Sequence, residues 1–332
     1  MLKRSFFALL LLFGIGNAAP PRTIEIAIEE LCMLASIDQP YYLTSGTVFT
    51  LTREFEFIYN NNVHPRLANA QGRHWGYRLE ALYHLPNQAD HLKFRWTGFN
   101  TFSNTTLLDT VVTTILAIPH ADNSRSNAIG STKIRDQHQL YSAELLFGRT
   151  IYRNNSLSLG LEAGIQYLKI EFNERLTYTF SPLENFIHYH STSEGAGPEV
   201  ACNFQYAISP KGTFSFVGQA SGALLAQRRT SLQEDYPTGG FPIGIVFGTR
   251  NTPYWIVIPT VDVRVGARYK NSFKAGARRS FDLSLEIGYE FIEVFNGVDR
   301  IYYVDNISTG QSMMTYMDFA LHGPYFRLSV GF

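Results

Sequence analysis

Charge is scarce in this sequence. Asp, Glu, Lys and Arg make up 17% of its 332 residues, and 28 basic side chains balance 28 acidic ones. A soluble domain carries about 25%. Without a basic excess there is no electrostatic ground for a nucleic-acid partner. Cysteine is nearly absent: Cys32 and Cys202 are the only two, which excludes a disulfide framework. No apolar run after residue 19 is long enough for a membrane helix. The best attempt, residues 107–118, is short and contains Asp109. No GxSxG, HExxH or Walker-type run occurs. Nothing therefore marks a catalytic centre, a metal or a cofactor, and the chain is not expected to be an enzyme.

What is present suits strands. Aromatics reach 14%, with 25 Phe and 19 Tyr, beside 26 Gly. The first segment has the form of a secretory signal: Lys3 and Arg4, then "FFALLLLFGIG", then Gly16 and Ala18 at the positions a signal peptidase reads. Residues 1–18 are thus expected to be removed. An exported chain without a spanning helix is either soluble or a closed barrel, since only helices and barrels satisfy the backbone in hydrocarbon.

Period-two alternation favours the barrel. In residues 74–85, Trp75, Tyr77, Leu79, Ala81 and Tyr83 share one face, while Arg78, Glu80 and His84 share the other. Leu92, Phe94 and Trp96 alternate with Lys93 and Arg95. Tyr141, Ala143, Leu145 and Phe147 alternate with Ser142, Glu144 and Gly148. Similar runs place Glu162, Glu199, Asp262, Arg264, Arg268, Asp282, Glu286 and Glu290 opposite apolar faces. Many runs reach ten residues, the length of a tilted strand crossing a bilayer, and aromatics gather near their ends. A soluble sandwich strand is usually five or six residues.

The spacing predicts an all-β transmembrane antiparallel β-barrel of about ten strands, with eight or twelve also compatible. The expected strands lie near 46–59, 74–85, 91–101, 137–150, 156–170, 198–208, 212–226, 254–269, 280–294 and 318–332. Short periplasmic turns alternate with long extracellular loops at 60–73, 102–136, 171–197, 227–253 and 295–317. Residues 19–45 form a periplasmic or lumenal segment on this reading, with 22–36 fitting a short helix or an extended run. Residues 46–332 form the barrel. Loop 102–136 either folds into the mouth, covers the outer rim or meets a neighbouring protomer. Cys202 falls on the lipid side and Cys32 on the periplasmic side, so no bond between them is expected.

The chain ends on "LHGPYFRLSVGF", where Phe326, Leu328, Val330 and Phe332 alternate with small or polar residues up to the carboxylate. Chain ends are ordinarily poorly ordered, whereas a closing strand is paired. This end resembles the signal by which the outer-membrane assembly machinery recognises its clients.

Several stretches, in order over residues 140–332, carry a family resemblance. They are "SAELLFGRTI", "LGLEAGIQYLKI", "GAGPEVACNFQYAI", "FSFVGQASGALL", "VDVRVGARY", "LSLEIGYEFIEVFN" and "LHGPYFRL". Together they resemble the Legionella-type major outer membrane protein family. The resemblance implies a pore-forming outer-membrane barrel that passes small solutes, with some members attaching to host cells. It implies no catalytic motif and no cofactor.

The lumen-facing set expected from alternation is Arg78, Glu80, Lys93, Arg95, Glu144, Glu162, Glu199, Asp262, Arg264, Arg268, Asp282, Glu286, Glu290 and Arg327. These side chains would line a water path, or pair across a narrow lumen and fill it. His188 and His190, with Glu184 or Glu194, could ligate a metal, but solvated loop histidines are the commoner case. Three functions stay open: a porin-like barrel for small hydrophilic solutes, a surface adhesin or structural barrel acting through its loops, and a barrel protease or lipase. The expected partners are outer-membrane lipid and lipopolysaccharide and the assembly machinery, with a host-cell surface and a second copy of the chain as further candidates.

Overall fold

The computed structural model describes residues 24–37, 42–46, 50–51, 57–58, 61–65, 73–86, 89–113, 129–180, 183–209, 213–238, 247–250, 252–275, 279–303 and 312–332. Ten long strands dominate it: β1 Ile24–Ile37, β2 His74–His84, β3 Asp90–Thr113, β4 Ile129–Arg153, β5 Leu157–Phe180, β6 Leu183–Ala207, β7 Phe214–Thr238, β8 Tyr254–Ala275, β9 Arg279–Tyr303 and β10 Ser312–Gly331. From β2 onward each pairs antiparallel with the next. β1 pairs with both β2 and β10, which closes the ring. Backbone bonds between Ile24 and Phe332 seal the seam at its lower end. The barrel is thus ten-stranded, all-β and antiparallel, and no sheet edge of the ring is left open.

Inside and outside are inverted relative to a water-soluble protein. Trp255 keeps 71% of its surface exposed on the outer face, while Arg95 on the inner face keeps none. Leu145, Ile165, Val200, Phe216 and Ile287 also face outward and are exposed. So continuous an apolar exterior is stable only against lipid. On β4 it runs from Tyr141 to Ile151, about 34 Å along the strand and about 25 Å high once tilted, which is one hydrocarbon core.

The first strand lies elsewhere than the alternation suggested. The strand closing the barrel is Ile24–Ile37, not 46–59, and the periplasmic or helical reading of residues 19–45 is corrected for that stretch. Ile24, Ile26 and Ile28 point outward and Glu25, Ala27 and Glu29 inward. Above Glu29 the inner face turns apolar, at Leu31 and Met33, so the contrast between faces disappears and the strand is hard to read. Within 46–59 the described residues make only a small ladder, Thr50–Leu51 against Phe57–Ile58. Nearby, residues 42–46 pair with 61–65 and touch β3. Cys32 is on the outer face opposite Trp75, well up the strand rather than at the periplasmic end, and Cys202 is outward on β6. Both thiols are free.

The loops are also shorter than expected. β5 and β6 run to Phe180 and from Leu183, so the stretch 171–197 is mostly paired strand. Likewise β3 continues to Thr113 and β4 begins at Ile129, inside the stretch 102–136. Residues 114–128, and with them the placement of that loop's tip, lie outside the described residues. Beyond the lipid band both faces carry polar residues, so alternation no longer reports the strand.

Candidate functional site

Thirteen of the fourteen sequence-predicted inward residues are buried inside the barrel, Arg268 is part-buried against Glu286, and the ring of strands brings them together into one ionic layer. Sequence reasoning missed its centre. Glu29 of β1 is fully buried and accepts hydrogen bonds from Arg78 at 3.1 Å, Arg264 at 3.0 Å and Arg327 at 3.4 Å. Those cations come from β2, β8 and β10, so one carboxylate ties four strands across the lumen. Arg78 also reaches Glu290 at 2.7 Å, and Arg327 reaches Glu80 at 2.7 Å and Glu25 at 3.4 Å. The signal for Glu29 was the short Ile24–Glu25–Ile26–Ala27–Ile28–Glu29 alternation.

A second group surrounds Arg95, which donates to Glu144 and approaches Asp262 at 3.3 Å and Glu199 at 3.8 Å. Toward the periplasmic end, Glu162 meets Lys93 and His91, Arg268 meets Glu286 at 2.8 Å, and Lys270 meets Asp282 at 3.0 Å. Tyr325 crosses the lumenal face of its neighbours to donate to Glu286 at 2.6 Å. Its ring lies over Gly288 and Gly266, where an added Cβ would meet it at 2.6–2.7 Å, so glycine leaves the space the ring occupies. A cavity of about 220 Å³ lies within the lower part of this layer, lined by Glu80, Lys93, Glu162, Arg264, Arg268 and Arg327 and, toward the periplasmic end, by His84 and Ser158.

Hydrogen bonding inside the ionic layer is incomplete. Glu199 and Glu290 are ion-paired, and beyond those pairs each has a single polar side-chain neighbour, Ser221 for Glu199 and Asp262 for Glu290, while neither terminal nitrogen of Arg95 donates an aligned hydrogen bond among the described residues. Buried groups in that state cost about 1–3 kcal/mol each unless water reaches them. The layer therefore has hydration capacity that protein atoms do not use.

An apolar layer follows directly above it, and sequence reasoning missed this too. Leu31, Met33, Phe99, Leu140, Leu168, Ile170, Phe172, Leu225, Ile258, Phe319 and Leu321 pack inside the barrel as one cluster. Phe172, Leu225, Ile258 and Phe319 have no exposed surface. Higher still the inner wall turns polar again. Asp299 accepts from Ser191 and from Tyr254, the latter at 3.0 Å, and Arg229 donates to Ser193 at 3.0 Å. Arg229 also donates to the carbonyl of Asn296, which a bulge in β9 turns inward. His188 and His190 lie on β6 rather than in a loop; His190 bonds Asn173, and no metal-binding group occurs among the described residues.

The sequence profile described as the Legionella pneumophila major outer membrane protein precursor matches residues 25–332, the whole of this barrel. The chain belongs to that family. It is accordingly an outer-membrane protein, and the signal-like first segment fits the precursor form of the Legionella major outer membrane proteins. No curated protein matches the sequence. Among solved structures the chain is similar to the outer membrane protease OmpT from Escherichia coli, at 10% identity and TM-score 0.46, covering 96% of this chain and 99% of that one. It is also similar to the Pseudomonas putida toluene transporter TodX, at 8% identity and TM-score 0.32, covering 94% and 90%. The Ralstonia pickettii toluene transporter TbuX gives 7% identity and TM-score 0.31, covering 96% and 90%. Likenesses this distant carry no argument about activity within the Legionella-type family.

Proposed function

We propose that the protein is a porin-like barrel that passes small hydrophilic solutes along a narrow path, closed at rest. The observation supporting this reading is the under-bonded ionic layer, with the cavity in its lower part. Charge is not needed merely to fill a barrel. Buried ion pairs stabilise no better than well-packed apolar side chains, and this barrel fills its next layer with Leu, Ile and Phe. Charged walls with unused hydrogen-bonding capacity suit a hydrated passage. The apolar layer above would then act as a constriction that opens by wetting. Each central cation touches two or more acids, so partners can exchange without leaving a charge alone.

The test is single-channel recording in planar bilayers with a salt gradient. Folded wild-type protein should give small, brief steps from a closed baseline. Complete silence at all voltages, in wild type and in variants that polarise the apolar layer, would rule the reading out. A second reading, a surface adhesin, is favoured by the strands that extend far above the lipid band. Shortening the β5–β6 tip by removing residues 177–186, above the apolar layer, should then abolish attachment to cells while leaving the conductance steps intact.

A further inference from the structure

The cavity inside the ionic layer has two unlike walls, and their chemistry narrows what can occupy it. Its volume of about 220 Å³ has room for about seven waters. One wall is ionic, with Arg268 of β8, Glu286 of β9, Arg327 of β10 and Glu25 of β1. Of the cavity's charged side chains Arg268 and Glu25 are the most accessible, at 23% and 24%. Nε and Nη2 of Arg268 both donate to one oxygen of Glu286, which leaves Nη1 unused among the described residues. Glu25 meets Arg327 at a loose 3.4 Å and Ser329 besides, so its carboxylate has acceptor capacity left. The other wall is neutral. Asn203 of β6 is directly opposite Gln219 of β7, and Gln219 is directly opposite Arg264 of β8. The Gln219 oxygen accepts from Arg264 at 2.8 Å, but its amide nitrogen is buried and has no partner among the described residues. Gly160 of β5, opposite Asn203, keeps this wall open: an added Cβ would meet nothing nearer than 3.5 Å.

Charge balance decides the class of ligand. Four Arg or Lys and four Glu line the cavity, beside His84 and His91. A solute of one sign would oppose half of these charges, and an uncharged solute would leave Arg268 and Glu25 to water. A small solute carrying both signs a few bonds apart uses both groups. We propose that this cavity binds small free α-amino acids as zwitterions, the carboxylate toward Arg268 and the ammonium toward Glu25, with Gln219 and Asn203 bonding a polar side chain. Both end contacts are charge-assisted hydrogen bonds, roughly twice as strong as neutral ones. The inference names the solute class of the passage proposed above and rests on that reading for any role in transport. Binding itself requires only entry from the periplasmic end. A site on a path must also release its occupant, so a dissociation constant on the order of 1 mM is expected.

The experiment uses the full barrel, folded in detergent at neutral pH, with L-serine as probe. Three molecules of the same skeleton are the comparison probes: glycerate lacks the ammonium, serinol lacks the carboxylate and glycerol lacks both. Binding is read by isothermal titration calorimetry, and folding of each variant by the heat-dependent gel shift of an intact barrel. Wild type should bind serine at least about tenfold more tightly than any of the three, since each loses a charge-assisted bond. Arg268→Gln should weaken serine by a similar factor of about ten. Gly160→Leu, which fills the space without touching a charge, should abolish binding. Arg153→Gln, an exposed cation at the periplasmic end, should leave it unchanged. Serine held no more tightly than glycerate or serinol, or unaltered binding by folded Arg268→Gln, would each overturn the proposal. If Arg268→Gln does not fold, Gly160→Leu takes its place, and unchanged serine binding there also overturns it; the probe comparison on wild type needs no variant. Bilayer recordings keep the two readings apart. Conductance steps without serine binding refute this ligand and leave the channel standing, whereas serine binding by an electrically silent barrel refutes the passage and leaves the site.

Discussion

Glu29 is the place where a single atom exchange should weaken the barrel most. The substitution Glu29→Gln keeps the shape of the side chain and removes one negative charge from a site with no exposed surface. Arg78, Arg264 and Arg327 all contact this carboxylate. Breaking a buried ion pair by removing one partner costs about 3–5 kcal/mol. The lower end applies here. Arg78 keeps Glu290 at 2.7 Å and Arg327 keeps Glu80 at 2.7 Å, while Arg264 retains Gln219 at 2.8 Å and only a distant Glu80 at 3.8 Å. A loss of about 3 kcal/mol is therefore expected, borne mainly by Arg264. Reversible denaturant unfolding from lipid vesicles, followed by the fluorescence of the outward Trp75, Trp96 and Trp255, measures it. The double variant Glu29→Gln/Arg264→Met removes both the acid and the cation it strands. It should recover part of the lost stability, because an apolar replacement of a buried pair is often neutral or better. As a control, Glu171→Gln breaks a half-exposed outer pair with Lys169 and should cost under about 1 kcal/mol. If Glu29→Gln costs no more than that control, or the double variant is weaker than the single one, the ionic layer does not bear stability as argued.

Other outcomes follow from the same geometry. Leu225→Ser should place a hydroxyl in the apolar layer and raise open probability in bilayer recordings; steps identical to wild type would contradict a wetting constriction. Gly288→Val should press on the Val265 carbonyl of the paired strand as well as on the Tyr325 ring, so both the β8–β9 ladder and the Tyr325–Glu286 bond are strained, and it is expected to lower the temperature of the heat-dependent gel shift by several degrees. Cys202 faces outward and Cys32 is on the outer face of a strand across the barrel, so mass analysis without reductant should find no link between them. Phe332→Ser leaves the backbone seam with Ile24 available, so it should slow insertion by the assembly machinery in pulse-chase assays while barely changing the stability of the inserted barrel.

How much of this was legible depended on what each face touches. Where lipid lies outside and ions lie inside, as from Trp75 to Tyr83 or Leu283 to Phe291, the two faces differ in polarity and the strand declares itself. Where the interior is apolar, at Leu31 and Met33 or at Leu168 and Ile170, both faces look alike. Where water lies outside, at Arg135 and Arg175, both faces are polar. Period-two contrast vanishes in both situations, although the backbone pairing continues. That is why alternation puts the first strand at 46–59 rather than Ile24–Ile37 and reads the upper half of β5 and β6 as loop. The inward charges were readable one by one. Their convergence on Glu29 was not, because the partners are contributed by strands up to 298 residues apart.

A strand of 25 residues such as β6 spans roughly 60 Å once tilted, more than twice the hydrocarbon thickness. The barrel therefore stands well clear of the membrane on the outside, as a stiff, hydrogen-bonded collar. Its tips can vary in sequence without disturbing the lipid-embedded base, because dozens of backbone bonds separate the two. The same collar holds whatever the tips present at a fixed distance and orientation from the cell, which a mobile loop of equal length could not do.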